Sequence, residues 1–283
     1  MADNLLTVSN LVVEYKTGGD VFRAVDDVSF SVPRGGTLAI VGESGCGKST
    51  IAKALVRLLK PTSGTVDLDG TDLATLTERQ LRPMRHRVQM VFQDPYGSLD
   101  PHLTAQQIVA EPIAVRGEKS RKIQRERAAE LIDRVGLPKT ALGRKPPEFS
   151  GGQRQRIGIA RALASEPELL VCDEATSALD VSVHAQVLEL LADIQADTGL
   201  TYHFISHNLG VVRAISQDTV VMRAGRIVES GRTDDLLSRP QEEYTQRLRR
   251  SALEPGLMTG IKPRHLIRHI AASRTAETEK AAS

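Results

Sequence analysis

The stretch TLAIVGESGCGKST, from Thr37 to Thr50, limits the possible folds more than any other part of the chain. Thr37 to Gly42 is a short continuous apolar run of the kind that forms a strand buried on both faces. Beyond the glycines, Ile51, Ala52, Leu55, Leu58 and Leu59 share one helical face, with Lys60 in the last turn and Pro61 as the stop. The loop between them fits G-x-x-x-x-G-K-[ST]. Gly42, Gly45 and Gly47 leave room for backbone to wrap around phosphate oxygens, and successive N–H groups and the helix start then face the anion. Lys48 is placed to reach β- and γ-phosphates, and the Ser49 hydroxyl to ligate Mg²⁺. The expected nucleotide-binding residues are therefore Gly42, Glu43, Ser44, Gly45, Cys46, Gly47, Lys48, Ser49 and Thr50. A glycine-rich turn with no ligand is the rival reading, and the flanking strand and helix argue against it. Cys46 reads as a small residue tolerated in the loop, not as a redox switch.

The rest of the chain supplies the sheet that such a loop needs. LTVSNLVVEYK and AVDDVSFSV alternate like antiparallel strands near the N-terminus, and GTVDLDG reads as a small hairpin arm. RVQMVFQ, LLVCDE and LTYHFISH are further buried strands, and DTVVMRAGRIVESG is a hairpin around Ala224 and Gly225. VSVHAQVLELLADIQADTG reads as a helix with Ser182 as N-cap and Gly199 at its end, and NLGVVRAIS as a short one. Strands alternating with helices predict an α/β fold with a parallel sheet. From about residue 94 to 165 the text turns helical and charged, which predicts a helical subdomain inserted between core strands. Residues 254–283 lose all periodicity and read as a mobile tail.

Two further sites of chemistry stand out. Asp173 ends an apolar strand where a carboxylate can organise Mg²⁺, and Glu174 behind it can orient or deprotonate a water. The second site is PEFSGGQRQRIGIARAL, where Ser150 and Gln153 have capping-box spacing. Gly151 and Gly152 weaken a first helical turn, so their presence there suggests that something approaches the helix start closely. A γ-phosphate would suit.

Composition excludes several alternatives. Lys+Arg 37 against Asp+Glu 35 is too balanced for non-specific nucleic-acid binding, and 3% aromatics with no tryptophan offers few stacking platforms. Two cysteines, Cys46 and Cys172, cannot build a disulfide framework or a four-cysteine metal site. His265 and His269 share a helical face but lack the glutamate and third ligand of a zinc site. Neither a signal core nor an apolar run of about 18 residues is present, so a cytosolic, soluble chain is expected, reaching a membrane only through partners.

GESGCGKST, VFQDPY, FSGGQRQR, LLVCDEATSALD and FISHN, in this order, make the chain resemble the nucleotide-binding subunit of an ABC transporter over about residues 5 to 250. The fold so implied is a P-loop NTPase core with a parallel sheet, an N-terminal antiparallel β subdomain and an inserted helical subdomain. The nucleotide-binding domain would span 1–253, with a C-terminal extension at about 233–253. The resemblance also implies roles. Tyr15 would stack on adenine, and Gln93 would touch Mg²⁺, beside Ser49 and Asp173, while sensing a membrane partner. Glu174, His207, Lys48 and Gln93 would be catalytic. Ser150, Gly151, Gly152 and Gln153 would be a signature acting on ATP bound to a partner chain, and Ser177, Ala178, Leu179 and Asp180 a loop joining the two sites. On residues alone, Tyr15 could be an ordinary strand aromatic and His207 a core or capping histidine.

MVFQDPYGSLDPHLT and RPQEEYTQRLRRS are similar to the dipeptide and oligopeptide importer subgroup, which includes nickel importers. Glu242 and Glu243 depart from its usual His-Pro, Ala175 from a proline, and Asn208 from an aspartate. The subgroup's partners would be a second ATPase subunit in a head-to-tail dimer, two transmembrane permease subunits and, indirectly, an extracytoplasmic binding protein. That places the chain at the cytoplasmic face of the membrane, with ATP and Mg²⁺ as its ligands. The alternatives are nickel import and a soluble ATPase serving an enzyme complex such as that of phosphonate breakdown.

Overall fold

A computed structural model of the chain describes residues 3–18, 20–94, 97–174 and 181–252. In chain order the elements are strands β1 (Asn4–Thr17), β2 (Asp20–Pro33) and β3 (Thr37–Val41), then helix α1 (Lys48–Leu55). Strands β4 (Ser63–Leu68) and β5 (Thr71–Asp72), helix α2 (Glu78–Leu81) and strand β6 (Val88–Val91) follow. Three helices come next: α3 (Ala105–Val115), α4 (Arg121–Arg134) and α5 (Gly151–Leu163). The core resumes with β7 (Leu169–Asp173), α6 (Val181–Thr198), β8 (Thr201–Ile205) and α7 (Leu209–Ile215). It closes with β9 (Asp218–Arg223), β10 (Arg226–Arg232), α8 (Thr233–Ser238) and α9 (Glu243–Ala252).

These strands form two sheets, one four-stranded in the order β2-β1-β4-β5 and one six-stranded in the order β10-β9-β3-β8-β7-β6. The four-stranded sheet is antiparallel, as the alternating N-terminal pattern requires. In the larger sheet β9, β3, β8, β7 and β6 run parallel, and only the β9–β10 hairpin reverses. Every residue of β3, β7 and β8 is buried, because this sheet is covered on both faces. Leu170 and Cys172 point toward the helical side with Tyr202 and Phe204, while Leu169 and Val171 point toward the small sheet with Leu38 and Ile40. One strand therefore serves two cores by simple alternation.

The three helices after β6 each begin at a hydroxyl cap. Thr104 accepts from the Gln107 N–H, Ser120 from that of Ile123 and Ser150 from that of Gln153. They share a core in which Ile108, Val109, Ala128, Ile132 and Ile157 pack together.

Two local expectations change. Helix α1 stops at Leu55 instead of running to Lys60, and Arg57 takes a left-handed φ of 54°. Its buried guanidinium donates to the Leu73 and Leu76 carbonyls at 2.7 and 2.9 Å, so chain reversal satisfies groups that a longer helix would have left unpaired. Leu58, expected on the buried face, is 56% exposed as a result. At α6 the helix already includes Val181, so Ser182 falls within its first turn and not at the position before it. The tail, with His265 and His269, lies outside the described residues.

Candidate nucleotide site

Parallel strands in register deliver their C-terminal ends to one edge of the sheet. Asp173 of β7 pairs with Ile205 of β8, and Ile205 pairs with Ile40 of β3. The segments beginning at Gly42, Glu174 and Ser206 therefore emerge side by side, with Phe92 and Gln93 following β6 at the same edge. Ligands of open α/β sheets bind at such an edge.

The phosphate loop is tightly supported by neighbouring backbone. A β-carbon on Gly47, where φ is 106°, would stand 2.4 Å from the Ala24 carbonyl oxygen of β2. Gly45 has φ of 80° with nothing nearby, so conformation alone demands glycine there. The Gly225 N–H donates to the Cys46 carbonyl at 3.0 Å, so the β9–β10 turn props the loop from beneath. The Cys46 side chain turns inward to pack with Ile51 and Met222, and burial pushes its thiol pKa up. Lys48 is buried, and its ammonium donates to the carbonyls of Gly42 at 2.7 Å and Glu43 at 2.8 Å.

Across from the loop, Ser49 Oγ donates to Asp173 Oδ1 at 2.9 Å. Burial pushes the Asp173 carboxyl pKa up, and this serine bond opposes the shift. A hydroxyl and a carboxylate oxygen side by side are the hard donors that Mg²⁺ prefers. Glu174 takes a φ of 45°, unusual for a residue with a β-carbon, as its N–H turns to the Ile205 carbonyl at 3.1 Å. The turn brings its carboxylate to Gln93 and His207. Gln93 Nε2 donates to Glu174 Oε2 at 2.8 Å, and His207 Nδ1 lies 3.5 Å from the same oxygen. Lys48, Ser49, Gln93, Asp173, Glu174 and His207 thus converge on one edge.

Tyr15 faces Phe22 across the β1–β2 ladder, and both rings are exposed. Phe22 precedes by two residues the Ala24 whose carbonyl abuts Gly47, so this aromatic pair sits just beyond the loop.

Ser150 is not drawn into that cluster. Its side chain and N–H are engaged with Gln153, closing the capping box at 3.4 and 3.1 Å. Helix α5 instead holds the segment that follows Gln93, with Arg161 donating to the Ser98 carbonyl at 2.5 Å. The close approach expected at its glycines is real at Gly152, but the neighbour there is α6 through Val183. Ala175 and the loop from Ser177 to Asp180 lie outside the described residues. Sequence reasoning missed Tyr244 of α9, whose hydroxyl accepts from the Glu43 N–H at 3.1 Å. No local pattern could have revealed a contact made 201 residues away.

Known proteins carry the same architecture. The family model described as ABC transporter matches residues 25–177. The chain is 52% identical over 262 residues to a protein of Sinorhizobium fredii named probable peptide ABC transporter ATP-binding protein y4tS, across 90% of this chain and 74% of that one. It is 50% identical over 231 residues to the oligopeptide transport ATP-binding protein AppF of Bacillus subtilis, across 81% of this chain and 70% of that one. Among solved structures, a dimeric post-hydrolysis state of the ATP-binding cassette MJ0796 bound to ADP and Pi superposes with a TM-score of 0.75 at 30% identity, covering 81% of this chain and 98% of that one. The ordered motifs, the sheet edge that gathers Lys48, Gln93, Glu174 and His207, and these likenesses agree, and the chain belongs to the ABC transporter family.

Proposed function

We propose that this chain hydrolyses ATP as the energy-coupling subunit of a peptide importer. The observation that carries the reading is the convergence of Lys48, Ser49, Asp173, Glu174, Gln93 and His207 on one sheet edge. The peptide assignment rests on the names of relatives such as AppF.

Each residue has work that its geometry suits. The loop amides and Lys48 bind the phosphates, and Tyr15 stacks on the base. Ser49 and Asp173 would hold Mg²⁺, with Gln93 within reach, and the ion would supply positive charge that offsets the charge of the transferred phosphoryl group. Glu174 Oε2 accepts a proton from the water that attacks the γ-phosphate, giving ADP and phosphate. His207, beside that oxygen, contacts the γ-phosphate and holds the base in line.

Among the described residues Ser150 bonds within its own helix start, which fits a donor aimed at ATP on a second chain. Two ATPase subunits, sibling or identical, then close head to tail with the Ser150–Gln153 turn of each over the nucleotide of the other. ATP favours the closed dimer because only that state offers both sets of contacts, and hydrolysis removes the shared ligand. The segment after Gln93, tied to α5 through Arg161, carries the motion to two permease subunits. Among the described residues no helix is long and apolar enough to cross a membrane. In this reading the permease subunits hold the chain at the cytoplasmic face.

The test is to purify the complex from membranes and assay it in liposomes. Co-purification with two permeases and peptide-stimulated ATPase are expected. ATPase in a soluble enzyme assembly, or stimulation by nickel alone, would replace the peptide-import reading.

A further inference from the structure

The peptide unit between Gly42 and Glu43 is gripped at both ends. A trans peptide is planar, so its C=O and N–H point in opposite directions. Its carbonyl, from Gly42, accepts from Lys48 Nζ at 2.7 Å, and its N–H, from Glu43, donates to Tyr244 Oη at 3.1 Å. The C-terminal helix α9 and the loop lysine therefore hold one peptide plane from opposite sides.

Tyr244 is firmly placed for this. It is buried and packs with Val41 of β3, Val221 of β9 and Leu209 of α7. The Arg223 guanidinium covers its ring, 5.2 Å from the centroid. The entry to α9 is fixed by Glu229 of β10, whose carboxylate accepts from the N–H groups of Gln241 and Glu242 at 2.8 and 3.3 Å. Arg249 further along donates to the Ser238 carbonyl at 2.9 Å. The tyrosine thus has a rigid base on the same hairpin whose turn supports Cys46.

We propose that Tyr244 is a positioning residue for the phosphate loop, fixing the Gly42–Glu43 peptide and through it the resting place of the Lys48 ammonium. The proposal rests on the nucleotide-site reading above and adds the C-terminal helix to the support of that site. Gly42 lacks a β-carbon and resists rotation of this peptide only weakly. The tyrosine hydroxyl at one end and the Lys48 ammonium at the other fix its plane. A loop ordered in advance loses less freedom when phosphates arrive, so the hydroxyl contributes to ATP affinity without touching ATP.

The test compares the full chain with Tyr244→Phe and Lys48→Ala, using Mg-ATP titration by calorimetry, steady-state ATPase and amide hydrogen exchange. Tyr244→Phe keeps the ring and the packing. It is expected to raise the ATP Kd and KM about threefold to tenfold, the effect of one lost hydrogen bond, with kcat within about twofold. Exchange at the Glu43 amide should speed up while melting stays near that of the unmodified chain. That split separates positioning from general stability. Unchanged Kd and KM, or a loss of kcat at constant KM, would overturn the proposal. ATP binding that is absent from the unmodified chain, or unaffected by Lys48→Ala, would overturn the nucleotide-site reading and the proposal with it.

Discussion

Gly152 in the first turn of α5 lies so close to Val183 in the first turn of α6 that a β-carbon on it would stand 2.2 Å from Val183 Cγ1. Alanine is a better helix former than glycine by about 1 kcal/mol, so an open site would gain stability from Gly152→Ala. Here the added methyl must push two helix starts apart, at a cost of about 1–3 kcal/mol. The variant should therefore unfold at lower urea concentration, and Val183→Ala should restore much of the loss. Stabilisation by the single substitution would show that the contact is not tight. Because both turns flank the proposed inter-chain site, ATPase should fall along with stability.

Glu174→Gln isolates the proposed base. The amide keeps the size of the side chain and can still meet Gln93, but it cannot take a proton. Turnover should drop by about 10² to 10⁴, the range for losing a positioned acid–base group, while ATP still binds. Phosphate release together with ATP titration reads both quantities. Turnover equal to that of the unmodified chain would remove Glu174 from the role.

Asn208 tests the smaller departure from the family pattern. Its Oδ1 accepts from the N–H groups of Gly210 and Val211 at 2.9 and 3.3 Å, so it caps α7 directly behind His207. Asn208→Ala should cost about 1 kcal/mol in chemical unfolding, and Asn208→Asp should cost far less. Equal stability of all three chains would show that the cap carries no weight.

Legibility in the sequence followed the range of the interaction. β3, β7 and β8 were readable because burial on both faces leaves an unbroken apolar run, and the loop at Gly42 was readable because phosphate chemistry fixes its spacing. The Asn208 cap is equally local, made to N–H groups two and three residues on. Helix α1 was read too long because its end is set by Arg57 reaching carbonyls near α2, a tertiary bond that no helical period records. At Gly152 the crowding within the chain comes from Val183 of a different helix, which no pattern around Ser150 records. Tyr244 lies 201 residues from the phosphate loop, and nothing near it in sequence points to that contact.

His203 gives a prediction about acid stability. It lies at the middle of β8, fully buried, with its ring stacked on Phe30 at 5.5 Å and neither ring nitrogen hydrogen-bonded among the described residues. Burial alone holds its pKa down at about 3, against 6.5 for an exposed imidazole. Above pH 6.5 the ring is neutral whether the chain is folded or not, so its titration contributes nothing to the pH dependence there. Below that value the unfolded chain takes up a proton that the folded chain refuses until about pH 3. Stability is then lost at about 1.4 kcal/mol per pH unit from this residue, or about 2 kcal/mol at pH 5 relative to pH 7.5. His203→Leu has no proton to take up, so urea unfolding between pH 5 and 6.5 should show a slope shallower by about one proton. Identical slopes in the two chains would mean that His203 already carries its proton in the fold, against the burial argument.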